Sequence, residues 1–144
     1  MSSKYFIKER AEIVSKLKPK EYQAVLFSWF VYDDFARHGS GKQVDWNHFV
    51  DKSVAVVTGI ALPVPFIAFL KSKGVEFEHL KFGDHHYFTQ NEIEKFSTYD
   101  VVLTTEKDFV RLEGALTELY YVEIAHRFSE EDKSVLKNKI EALN

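Results

Sequence analysis

The sequence predicts an α/β fold, a three-layer α/β/α sandwich built on a mostly parallel sheet. Three observations predict it. From Ser53 onward short strand-like runs alternate with helical segments, the pattern of right-handed βαβ units whose helices cover both faces of a sheet. Tyr22 to Tyr32 is a run of β-branched and aromatic residues with little alternation, the pattern of a strand covered on both sides. Finally, 45% of the 144 residues are apolar, with 13 Phe, 7 Tyr and 2 Trp, enough to bury a core and to exclude intrinsic disorder. The expected sheet is Rossmann-like.

Each element follows in order. Residues 4 to 17 place Phe6, Ile7, Ile13, Val14 and Leu17 between charges, the spacing of a surface helix that stops before Pro19. The strand at 22 to 32 follows. Residues 33 to 52 are polar and contain Arg37-His38-Gly39-Ser40-Gly41-Lys42, which predicts a loop and a boundary. The regular rhythm then predicts strand 53 to 58, helix 63 to 73, strand 75 to 82, loop 83 to 88 and helix 89 to 96. Strand 100 to 104, helix 105 to 112, strand 119 to 125 and helix 129 to 143 complete it. Thr89 with Glu92, Thr105 with Asp108, and Ser129 with Asp132 are the capping pairs. Val135, Leu136, Ile140 and Leu143 form an apolar face on the last helix, expected to pack in a core.

Composition narrows the function classes. The net charge is −3, against the basic excess of a phosphate-backbone binder, so no nucleic-acid partner is expected. With no Cys there is no disulfide scaffold, no thiolate catalysis and no Cys-ligated zinc, and the cytoplasm is the expected compartment. The charged start, Lys4 to Arg10, lacks the apolar region of an export signal. The longest apolar stretch, Gly59 to Leu70, carries Pro63 and Pro65 and is 12 residues long, short of the about 20 that cross a bilayer.

In an open parallel sheet, ligands gather beyond the carboxyl ends of the strands. The segments after Thr58, Phe82, Thr104 and Ile124 are therefore the ones to interrogate. Arg37 to Gln43 imitates a phosphate-binding loop but has Ala36 where the first Gly belongs and Gln43 where the Mg²⁺-binding hydroxyl belongs. It is expected to be a flexible basic loop. Phe82-Gly83-Asp84-His85-His86-Tyr87-Phe88 follows a strand and precedes a helix. It admits a polar turn, a metal site of Asp84, His85 and His86 with His79, or an Asp84–His85 pair in which the carboxylate orients the imidazole for proton transfer. Thr104-Thr105-Glu106-Lys107-Asp108 sits where a strand turns into a helix. Capping explains Thr105 and Asp108, while Thr104 and Lys107 are candidates to face a ligand.

Three strings taken in order are more specific than any alone: Val56-Val57-Thr58-Gly59-Ile60-Ala61, Phe82 to Phe88, and Val102-Leu103-Thr104-Thr105-Glu106-Lys107-Asp108. Together they resemble the carboxy-terminal half of tetraacyldisaccharide 4'-kinase, most strongly over residues 53 to 125. Residues 4 to 35 resemble the end of that family's nucleotide-binding half. Leu62 stands where the family often has Asn, and Phe109 where Ala is common. The resemblance implies two segments: 1 to 50, the end of the nucleotide-binding domain with a linker, and 51 to 144, the carboxy-terminal α/β domain. It implies an ATP- and Mg²⁺-dependent kinase acting on a lipid A disaccharide precursor at the cytoplasmic face of the inner membrane. It also implies a P-loop domain missing from this chain, no tightly bound cofactor here, and no independent activity. His85, oriented by Asp84, would tune the catalytic base of the other half. Two further readings stand beside it: a small metal-dependent hydrolase centred on Asp84, His85 and His86, and an interaction module that pairs as a homodimer through strand 22 to 32.

Overall fold

The computed structural model describes residues 3–143, with side chains from Lys8 to Leu143, so the expected roles of Phe6 and Ile7 lie outside the described side chains. The chain divides into two compact units, residues 1–31 with 126–144, and residues 32–125.

In the first unit, helix α1 (Ser3–Leu17) ends before Pro19 as expected. Strand β1 (Ser28–Tyr32) is shorter than the apolar run that predicted it. It pairs with one strand, β8 (Ile124–Phe128), in a two-stranded sheet. Ser28, Trp29 and Phe30 are exposed, so the expectation of a strand covered on both faces is not met. An apolar run reports what a strand can bury, not whether a partner layer is present to bury it. Helix α5 (Glu130–Glu141) is capped by Ser129, whose hydroxyl accepts from Asp132 N. The Asp132 carboxylate accepts from Arg10 at 2.5 Å and from Phe27 N at 3.1 Å. Desolvation pushes this carboxyl up, but the Phe27 amide and the Arg10 guanidinium outweigh it and hold the group below its ordinary range. The apolar face expected to be core is half-buried at Val135 and Leu136 and exposed at Ile140 and Leu143.

The second unit holds a six-stranded, mostly parallel sheet. Its strands are β2 (Ala36–His38), β3 (Gln43–Val44), β4 (Val54–Thr58), β5 (Glu78–Lys81), β6 (Val101–Thr105) and β7 (Leu119–Val122). The order is β3-β2-β7-β6-β4-β5. β5, β4, β6 and β7 run parallel, and β2 joins β7 and β3 antiparallel. The polar stretch predicted as a loop thus contains an edge hairpin. The basic string 37 to 42 turns that hairpin, with His38 N donating to Lys42 O at 2.8 Å and Gly41 at φ +88°. A strand-to-helix phosphate loop has a different geometry. The predicted strand 119 to 125 is broken at Glu123 into β7 and β8.

Consecutive residues of β4 serve opposite faces, as the strand period requires. Val54 and Val56 join Phe66 and Leu70 of helix α2 (Val64–Ser72) in one cluster. Ala55 and Val57 join Phe96 of helix α3 (Gln90–Phe96) and Leu112 of helix α4 (Glu106–Leu112) in the other. The three layers follow from this. The chain leaves β4 through α2 toward β5, and leaves β6 through α4 toward β7, on the other side. The winding direction therefore reverses between β4 and β6, which opens a crevice beyond their carboxyl ends.

Candidate functional site

That crevice is where the three sequence strings meet. β4 ends at Thr58 and hands over to Gly59, whose N–H donates to Asp108 Oδ2 at 2.9 Å. Asp108, the third residue of α4, is completely buried. Thr105 caps the helix by accepting from Asp108 N at 3.2 Å, and its hydroxyl donates to Asp108 Oδ2 at 3.0 Å. The Asp108 side chain therefore crosses to the neighbouring strand end rather than closing a reciprocal capping box. Arg111, one turn on, places Nη1 3.3 Å from Asp108 Oδ1 and 3.3 Å from Gly59 O. A Cβ on residue 59 would sit 3.1 Å from Asp108 Oδ1 and 3.4 Å from Arg111 Nη1, so any larger residue would press on this pair and force it to give by a few tenths of an ångström.

The loop after β5 docks on the same hub. Phe82 N donates to Thr58 O at 2.7 Å, and His85 N donates to Gly59 O at 3.1 Å. His85 has φ +59°, in the left-handed region that non-glycine residues seldom occupy. Its ring is held from two sides: Arg111 Nη2 lies 3.1 Å from Nδ1, and Asp84 Oδ2 lies 3.5 Å from Nε2. Asp84 also accepts from Lys107 Nζ at 3.3 Å. Desolvation pushes the Asp84 carboxyl up, yet the Lys107 hydrogen bond and the charges of His85 and Lys107 outweigh it and hold the group below its ordinary range.

The expected site residues separate accordingly. Asp84, His85 and Lys107 come together at the crevice. Thr104 does not face a ligand: it is completely buried, and its hydroxyl donates to Val57 O at 2.6 Å within the sheet. The metal set does not converge. His86 turns away to Glu92, with Nε2 2.9 Å from Oε2, and stacks on Phe82 at 4.7 Å. Glu92 also accepts from Thr89 N at 2.8 Å, completing the predicted capping box. The His86 hydrogen bond, then the Thr89 amide, hold the Glu92 carboxyl below its ordinary range. His79 pairs with the Thr58 hydroxyl at 2.8 Å, and burial followed by the charges of Lys81 and Lys71 pushes its imidazole down. Among the described residues, no group of three or more His, Asp or Glu is placed to hold a metal ion.

Gly59, Asp108 and Arg111 are the members that sequence reasoning passed over. Asp108 reads as a cap and Gly59 as a turn, and their partnership spans 49 residues. The one local signal was the spacing of Asp108 and Arg111, three residues apart on a helix.

Comparison with known proteins gives this crevice its context. The profile of the family described as tetraacyldisaccharide-1-P 4'-kinase matches residues 5–142. The chain belongs to the tetraacyldisaccharide 4'-kinase family. The family member from Flavobacterium johnsoniae is 33% identical over 125 residues, which is 83% of this chain and 36% of that protein. The member from Francisella tularensis subsp. novicida is 29% identical over 108 residues, 74% of this chain and 34% of its own. The chain thus spans about a third of the length of the curated relatives it matches. The crystal structure of LpxK from Aquifex aeolicus in complex with ATP superposes with a TM-score of 0.52 at 20% identity, covering 89% of this chain and 40% of that one. It supports the fold.

The glycine-bearing segment 37 to 42 is an antiparallel hairpin turn and does not have the strand-to-helix geometry of a phosphate-binding loop. No helix among the described residues is long and apolar enough to cross a membrane.

Proposed function

We propose that this chain is the carboxy-terminal α/β portion of a tetraacyldisaccharide 4'-kinase and supplies an accessory Asp84–His85 pair to the reaction. The observation that carries the reading is the placement of that pair at the sheet's switch point, in a chain whose family is known. Transfer of a phosphoryl group depends mainly on positioning and charge stabilisation. In this reading ATP and Mg²⁺ belong to a nucleotide-binding half outside these 144 residues, as does the base that takes the proton from the sugar 4'-hydroxyl. His85 meets that base when the halves close around a lipid A disaccharide precursor at the cytoplasmic face of the inner membrane. Asp84, tethered by Lys107, keeps the outer edge of the ring polar and oriented.

The 144-residue chain, given ATP, Mg²⁺ and the lipid disaccharide, is expected to transfer no phosphate. In the full-length kinase containing this sequence, His85→Ala should lower kcat on the order of 10- to 100-fold, the lower end of what a positioned proton-transfer group supplies. Phosphate transfer by the isolated chain would overturn the dependence on a second half, and unchanged turnover in His85→Ala would overturn the role of His85.

A second reading concerns β1, whose one partner among the described residues is β8 and whose Trp29 and Phe30 are 44% and 55% exposed. An open edge with apolar side chains favours pairing with another strand, including that of a second copy. Sedimentation should then show dimers that Trp29→Lys abolishes; a monomer at high concentration removes this reading.

A further inference from the structure

We infer that Arg111 is a positioning residue that sets the tautomer and orientation of His85, an inference that rests on the proposed role of His85. An arginine guanidinium has donors only. Its Nη2, 3.1 Å from Nδ1 of His85, therefore requires Nδ1 to be the accepting, unprotonated nitrogen. The proton of the neutral ring sits on Nε2, the nitrogen that faces Asp84 Oδ2 at 3.5 Å. That distance is too long for a good hydrogen bond, and Asp84 is shared with Lys107. Of the two neighbours, Arg111 makes the closer and better-defined contact.

The anchoring of Arg111 explains how it orients an exposed ring. The His85 side chain is 71% exposed, so packing alone does not select its rotamer. Arg111 is 23% exposed, and its Nη1 is fixed between the wholly buried Asp108 carboxylate and Gly59 O. The guanidinium thus carries the rigidity of the β4–β6 junction outward to the imidazole. Gly59 O also receives His85 N, so the backbone and ring of His85 refer to the same atom group. The result is an Nε2–H donor on the ring edge opposite Arg111, beside Asp84 but too far from it for a good hydrogen bond, and so able to turn to an incoming carboxylate. A point charge cannot do this. A lysine nitrogen can pair with Asp108, but it cannot at the same time reach Gly59 O and His85 Nδ1, which the guanidinium fork spans.

Two variants separate this role from a structural one. Arg111→Lys keeps a cation beside Asp108, and Arg111→Gln removes it. On the 144-residue chain, nitrogen-15 spectra of the imidazoles should show His85 protonated on Nε2. In both variants the signals should move toward those of a free histidine exchanging between tautomers. In the full-length kinase, Arg111→Lys should lower kcat about as much as His85→Ala, on the order of 10- to 100-fold, with little change in KM for ATP. The same substitution in a His85→Ala background should cost almost nothing more, because the effect runs through the ring. Unchanged His85 ring spectra in both variants would overturn the inference. So would equal losses from Arg111→Lys with and without His85. If His85→Ala alone leaves turnover intact, the proposed function fails, and the ring spectra still decide what Arg111 does.

Discussion

Replacing Asp108 with alanine should destabilise the protein by about 3–5 kcal/mol, the usual cost of breaking a buried ion pair from one side. The carboxylate is wholly inaccessible and accepts from Gly59 N and the Thr105 hydroxyl on one oxygen while facing Arg111 on the other. Its removal strands two donors and leaves a guanidinium beside an empty volume. Asp108→Asn keeps the shape but turns an amide toward Arg111, where two donors oppose each other, and should cost about 1–3 kcal/mol. Urea unfolding of the two variants and the parent checks both values. An alanine variant within about 0.5 kcal/mol of the parent, the range of an ordinary surface substitution, would mean that the junction is not held by this group.

Phe96→Ala should cost a similar amount, about 3–5 kcal/mol, by removing a fully buried ring from a close-packed layer. Phe96 sits in the cluster of Ala55, Val57, Val102, Leu112 and Leu119, with the rings of Phe82 and Phe88 each 5.7 Å away. Those two rings bracket the Asp84–His86 loop, and Phe82 also stacks on His86. The loss should therefore be local as well as global. Amide hydrogen exchange at His85 and His86 should speed up more in Phe96→Ala than in Leu70→Ala, which opens the opposite face of the sheet. Equal effects in the two variants would show that the loop does not depend on the layer beneath it.

These two residues illustrate how legibility varied along the chain. Phe96 was readable as part of a helix opened by Thr89 and Glu92, because caps and periodicity are local and written in adjacent residues. Asp108 was readable only halfway. Its backbone role at the start of α4 followed from Thr105, whereas its side-chain role needed Gly59 from another strand. The same division holds for the histidines. The string Asp84-His85-His86 marked the loop, but three adjacent residues carry no statement of direction, and the structure sends His85 to Arg111 and His86 to Glu92. Thr104 and Thr105 show it again: neighbours on a strand point to opposite faces, so one is spent on the sheet and the other on the helix cap.

By itself, then, the sequence determined the alternating strands and helices from Ser53 on, the caps at Thr89, Thr105 and Ser129, the motif strings and the family they resemble. All of these depend on residues close together in the chain. The tertiary structure alone decided that the basic string at 37 to 42 is a hairpin turn and that the first three residues of β1 are exposed. It also decided that Gly59, Asp108 and Arg111 form the hub on which His85 stands. The physical reason is that these outcomes depend on which strands become neighbours. Strand order is settled by burying both faces of one sheet at once, a property of the assembled layers that no single segment carries.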